Sequence, residues 1–188
     1  MENEPDKEEA QWHVMRAYKN EKAAEKRLSD SHYGLKYFIP KEQVLRTLNG
    51  KKVLCRVPVI HSLIFVHATH RQIIHFKNNY YNDLQFITRK CDDKLSYLTV
   101  PGTQMDSFIT VCEQKEKEVH FYKPTDITKE KLDIEKGQKV KVHGGPFDQV
   151  EGYFMKVAKK RGRQLVVIIP DLLAVSTEVD PDYLEIIE

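Results

Sequence analysis

KGQKVKVHGGPFDQVEGYFMKV, Lys136–Val157, sets a Gly-Gly-Pro-Phe corner between two segments whose apolar residues fall on alternate positions. A period of two marks a half-buried strand, so Val140 and Val142 point to one face. Gly144 and Gly145 supply the backbone freedom for a sharp corner, Pro146 fixes its exit, and Gly152 permits a bend where the next strand begins. Such a corner suits a barrel of about five short strands, which must curl strongly to close. Phe147 has two readings: it plugs the end of the barrel, or it stands out as an aromatic contact for a partner.

Short β-type segments recur through the C-terminal part: QKVKVHG, GYFMKVA, RQLVVIIP, AVSTEV and YLEII. That spacing predicts a small β-barrel over 131–188. The stretch before it has mixed charge and one proline, and residues 119–130 are expected to be a linker. Residues 11–118 read differently. WHVMRAY is strand-like, and NEKAAEKRLSD follows as a helix capped by Asn20, with Ala23, Ala24, Arg27 and Leu28 on one face. LKYFIPKEQVLRTL and KKVLCRVPVIHSLIFVHA flank Asn49-Gly50, a good hairpin signal, and Pro58 marks an irregularity in the second arm. THRQIIHFKNNYYND reads as a short helix, LQFITRK as a strand and LSYLTV as a further extended piece. Thr103 with Asp106 makes a capping-box-like start to a helix whose face is Met105, Phe108, Ile109 and Cys112. The class is therefore α+β: an N-terminal antiparallel sheet flanked by helices, then the barrel.

Composition narrows the chemistry. Thirty Lys and Arg against 28 Asp and Glu in 188 residues leave a net +2, so contact with a polyanion has to be local. The basic stretch Lys159, Lys160, Arg161 and Arg163 is expected at a hairpin tip, as a solvated turn or a phosphate contact. Cys55, Cys91 and Cys112 are odd in number and form no Cys-x-x-Cys pair, which fits a reducing cytosol. The N-terminus is acidic and no window has the apolar length of a membrane span, so a cytoplasmic chain with no membrane partner is expected. His61, His67, His70 and His75 form a dense run, but no carboxylate or thiolate at i, i+4 spacing completes a zinc site, and no metal is expected. No Gly-x-Ser-x-Gly or phosphate-cradling glycine loop is present, which points to a binding protein rather than an enzyme.

GQKVKVHGGPFDQVEGYFMKV resembles the KOW motif, and LVVIIPDLLAVSTEVDPDYLEII is similar to the closing strands of a NusG-type KOW domain, an SH3-like barrel. WHVMRAYKNEKAAEKRL is similar to the opening strand and helix of the NusG N-terminal domain. RVPVIHSLIFVHA stands where that family has an aromatic-Pro-Gly-Tyr lead-in to a strand. The resemblance covers nearly the whole chain from Trp12, in the family's domain order. It implies a non-enzymatic, cofactor-free elongation factor whose N-terminal domain docks on the clamp helices of RNA polymerase, bridges the cleft over the DNA and suppresses pausing. The positions matching the edge of the family's docking pocket are Ile60, Leu63 and Phe65, with Arg16 on the first strand. A helix-in-groove contact suits them, while Leu63 and Phe65 also read as ordinary core. Ile60-His61-Ser62 replaces the family's aromatic-Pro-Gly and makes the pocket more aliphatic. By family position, His75 falls near the place where specialised relatives touch the gate loop.

The divergence at 60–62, the acidic leader and PGTQMDSFITVCE resemble the UpxY-like antiterminators, which act on long polysaccharide operons. That likeness leaves open whether nascent RNA, non-template DNA, a ribosomal protein or Rho is the further partner. In the related RfaH type the C-terminal domain refolds into a helical hairpin; the β-branched QKVKV and LVVII predict a barrel here. The alternative is a ribosome-associated KOW protein whose ligand is structured RNA, against which the balanced charge argues.

Overall fold

Gln11–Ala17 (β1) is buried at five of its seven positions, on both faces, and this makes it the centre of the first sheet. The computed structural model describes residues 9–18, 20–30, 34–91, 94–115, 117–128 and 131–187. The acidic leader as far as residue 8 and the side chain of Cys91 lie outside the described residues. The chain forms two units: Met1–Ile39 with Ile60–Pro101, and Pro40–Val59 with Gly102–Glu188.

In the first unit β1 pairs antiparallel with β5 (Leu63–Ala68), and β5 with β2 (Lys36–Phe38). The other edge of β1 is shared by β6 (Leu84–Phe86) and β9 (Thr99–Val100). The expected single strand LQFITRK breaks at Ile87, because Val14 there changes partner. Its carbonyl accepts the Ile87 N–H and its own N–H donates to Leu98, each at 2.9 Å. The chain in between leaves the sheet as a separate hairpin, β7 (Thr88–Cys91) with β8 (Lys94–Tyr97).

Local signals start the helices. Asn20 Oδ1 accepts the Ala23 N–H at 3.0 Å ahead of α1 (Glu21–Asp30), and Thr69 and Gln72 form a reciprocal capping box at α2 (His70–Asn79). Ala24, Leu28, Ile73 and Phe76 from these helices meet Met15, Ala17, Ile64 and Val66 on one face of the sheet. By register the opposite face carries Trp12, Val14, Arg16, Leu63 and Phe65, of which all but Arg16 are buried.

The second unit includes the hairpin β3 (Lys41–Leu48) and β4 (Lys51–Pro58), which ends at Pro58. Asn49 and Gly50 both have positive φ, 50° and 75°, as a type I′ turn requires. Leu45 and Leu54 face each other across the hairpin and are exposed. Helix α3 (Gly102–Glu113) begins one residue before Thr103, so Thr103 sits inside the first turn and does not cap the helix.

The second sheet runs in the order β10-β14-β13-β12-β11-β15. Its strands are β10 (Val119–Tyr122), β11 (Gln138–Val142), β12 (Glu151–Lys156), β13 (Arg163–Ile169), β14 (Leu173–Thr177) and β15 (Leu184–Ile186). All five segments expected over 131–188 are strands. The sixth comes from residues 119–122, which were expected in a linker but pair with Ala174–Thr177; that pairing covers an edge of β14 that would otherwise stand open. The last strand, β15, pairs with β11, the first of the five, so the meander curls back on itself.

β13 and β14 are buried almost without interruption, which explains why RQLVVII and LAVST do not alternate. Val166, Ile168 and Ala174 cluster on one side with Leu132, Met155 and Val157, and α3 packs across β12, β13 and β14. Gly144 and Gly145 turn the corner with φ of 88° and 68°. Gly152 serves a different need from the expected bend: a Cβ there would lie 2.7 Å from the Val166 carbonyl oxygen, so its role is to let β12 and β13 approach closely. Among the described residues no helix is long and apolar enough to cross a membrane.

Candidate functional site

The turn between β4 and β5 carries the first candidate residue. Ile60 is half-buried there and His61 is 87% exposed. Ser62 is buried and adopts a left-handed backbone with φ 63°, a conformation that disfavours a residue with a side chain. Both of its backbone groups are engaged: the carbonyl accepts the Ala17 N–H at 2.9 Å, and the N–H donates to Glu21 Oε2 at 2.6 Å. The same carboxylate oxygen lies 3.4 Å from His61 Nδ1, and the Glu21 side chain is only 9% exposed.

From this turn β5 runs directly into the sheet. Leu63 lies opposite Arg16 and Phe65 opposite Val14, so Arg16, Leu63 and Phe65 share one face and Ile60 stands at its end. Arg16 is half-buried, but Leu63 and Phe65 are 1% and 0% exposed. Of their two readings the structure takes the core one, because alternate positions of a central strand with apolar residues on both faces have no solvent side. His75 is kept apart from the other candidates. It is exposed on α2, which packs on the opposite face of the sheet through Ile73 and Phe76.

The histidine run disperses in space. His67 lies against Trp12 at 5.1 Å, while His70 stacks on Phe86 and Tyr97 at 5.0 and 4.7 Å. Lys77 is held over Phe86 at 5.2 Å, and burial draws its pKa below the ordinary lysine value. Among the described residues no group of three or more His, Cys, Asp or Glu has the geometry to hold a metal ion. Sequence reasoning did not find this aromatic stack, nor Glu21. An acidic residue in the first turn of a helix reads as a partner of the helix dipole, and nothing in the sequence ties it to a turn some 40 residues later.

In the second sheet Phe147 is 2% exposed within the 3₁₀ turn Gly145–Phe147, so it fills the end of the sheet and is not an exposed contact. Asp148 Oδ1 accepts the Gly144 N–H at 2.6 Å; that bond, with one from Gln149, holds its carboxyl below the usual aspartate range. The basic stretch does lie at a hairpin tip, between β12 and β13. Lys159, Arg161 and Arg163 are exposed, Arg163 over the Phe154 ring at 5.8 Å, while Lys160 is half-buried and meets His120. Three of the four residues expected to contact phosphate are therefore presented to solvent.

Helix α3 is pinned to this sheet by two polar contacts: Gln104 Nε2 donates to the Ile168 carbonyl at 2.5 Å, and Ser107 Oγ accepts the Glu151 N–H at 3.0 Å. Beside these contacts a groove of about 280 Å³ runs between Thr103, Asp106 and Thr110 of the helix and Lys141, Asp148 and Glu151 of the sheet.

Taken with a second antiparallel sheet, the helix-flanked antiparallel sheet with this turn at its end makes the chain an α+β protein. A family model described as transcription termination factor nusG matches residues 10–109, just over half of the 188. The chain belongs to the NusG family, whose members are transcription factors that bind RNA polymerase and are not enzymes. The match ends within α3 and does not reach the KOW-like stretch at 137–157. A comparison with curated proteins gave no match.

Proposed function

We propose that the chain docks on the clamp helices of RNA polymerase through the end of the first sheet and suppresses pausing or termination. The observation that carries this reading is the register that sets Arg16 opposite Leu63, three residues after Ile60, so that the family-matched positions meet on one face. Half-buried Ile60 and Arg16 present the contact surface of the dock, and the core residues Leu63 and Phe65 support it from beneath without reaching solvent. His75, exposed on the other side of that sheet, suits a separate contact with the gate loop.

We read the second sheet as a KOW domain, supported by the pairing of β15 with β11 and by the glycine corner. Its exposed Lys159 and Arg161 offer an auxiliary contact to nascent RNA. The aliphatic Ile60-His61-Ser62 turn supports a specialised, UpxY-like factor acting on polysaccharide-type operons. Such a factor works in the cytoplasm, where its polymerase is.

The experiment is retention of purified core RNA polymerase by the immobilised full chain, beside the Ile60→Asp variant checked for folding by circular dichroism. Retention that the substitution abolishes supports the dock. A folded wild type that retains no polymerase, yet binds structured RNA in a salt-sensitive manner, would favour the ribosome-associated alternative.

A further inference from the structure

We propose that Glu21 is a positioning residue, a largely buried carboxylate that sets the shape of the Ile60–Ser62 turn. The inference rests on the reading of that turn as part of the polymerase dock. Ser62 needs a fixed conformation: it is 4% exposed, has a side chain, and yet sits at φ 63°. A left-handed residue persists only where its surroundings over-determine it. Here two residues four apart in sequence do so from both sides. Ala17, the last residue of β1, binds the Ser62 carbonyl, and Glu21, in the first turn of α1, binds the Ser62 N–H at 2.6 Å.

The carboxylate cannot readily serve a partner directly, since its side chain is 9% exposed. It acts through the turn. Removing it leaves a buried N–H with no acceptor beside a strained residue, so the turn loses its reason to stay left-handed. Ile60, two residues earlier, then loses its place at the sheet end. A glycine would hold this conformation without help. The clamp thus accounts for how a turn spelled Ile-His-Ser keeps a glycine-like shape.

The test compares Glu21→Ala with Glu21→Gln in the full chain, by polymerase affinity and by hydrogen exchange at the Ser62 amide. The glutamine carbonyl can still accept the Ser62 N–H. Glu21→Gln is therefore expected to hold affinity within about twofold of wild type, and Glu21→Ala to lose about tenfold, the worth of one charge-assisted hydrogen bond. The Ser62 amide should exchange about tenfold faster in the alanine variant and near the wild-type rate in the glutamine one. Equal affinity of wild type and Glu21→Ala overturns the positioning role, as does a Glu21→Gln variant as impaired as alanine, which would mean that the charge itself is what matters. If the wild type binds no polymerase, the docking reading fails separately, and Ser62 exchange alone decides the clamp: an unchanged rate in Glu21→Ala sinks it.

Discussion

Glycines with the same sequence signature do different physical work in this chain. Gly145 has φ 68° and open space where a Cβ would go, whereas Gly152 has no positive φ but a Cβ there would lie 2.7 Å from the Val166 carbonyl oxygen. Gly145→Ala is expected to cost about 1 kcal/mol of backbone strain. Gly152→Ala, which must push two paired strands apart, should cost about 2–3 kcal/mol. Urea unfolding of the two variants checks the order, and equal midpoints would remove the close-approach account. Asp148 makes a pH-dependent contribution at the same corner. Hydrogen bonding from Gly144 and Gln149 depresses its folded pKa below the ordinary 3.8, so its stabilisation is present above that value and fades as pH falls through the folded one. Asp148→Asn should therefore unfold more readily than wild type at neutral pH, and the gap should close in acid. A gap that does not change with pH would mean the charge is not responsible.

At the scale of elements, the relation between α3 and the second sheet is the main departure from what the sequence suggested. The periodicity of Met105, Phe108, Ile109 and Cys112 identifies a helix with a buried face; Met105 and Phe108 are fully buried, as is Val111, while Ile109 and Cys112 are half-buried. It does not say which sheet receives that face. Ser107 supplies part of the answer, because its hydroxyl accepts a backbone N–H from Glu151, 44 residues away. Ser107→Ala leaves that N–H without its partner and should destabilise by about 1–3 kcal/mol. Thr110→Ala is the control: its exposed hydroxyl bonds to the Asp106 carbonyl of its own helix, and its loss should stay within about 0.5 kcal/mol. Thermal unfolding of both variants separates them. Similar losses would show that the helix is held by its apolar face alone.

For the whole molecule, the functional claim concentrates on a small part of one surface. Placing a charge at Ile60 should leave the fold intact, since the residue is only half-buried in a turn, and should lower polymerase affinity by about thirtyfold or more if it lies at the centre of the contact. Direct titration against core polymerase, with circular dichroism as the folding check, gives the value. A folded Ile60→Asp chain with unchanged affinity would move the dock elsewhere. The candidate site was only partly legible from sequence. Arg16, Leu63 and Phe65 do share a face, but burial assigns Leu63 and Phe65 to the core, and the sheet separates His75 from them.

Most signals that act within a few residues are legible in the chain alone, although Thr103 does not cap α3 and Gly152 serves close strand approach and not a bend. Asn20 starts a helix, Asn49-Gly50 turns a hairpin, Gly144-Gly145 makes a corner, and the β segments of the C-terminal part are strands. Each of these depends on dihedral preferences or on hydrogen bonds reaching three or four positions, which composition and spacing encode directly. The tertiary structure alone decided the break at Ile87, the strand at Val119–Tyr122, the seat of α3 and the Glu21–Ser62 bond. These are pairings between groups distant in the chain, and a donor or an apolar face carries no record in the sequence of which distant partner will reach it. Packing of the whole chain makes that choice, since every buried polar group must find an acceptor or donor and every apolar face a cover.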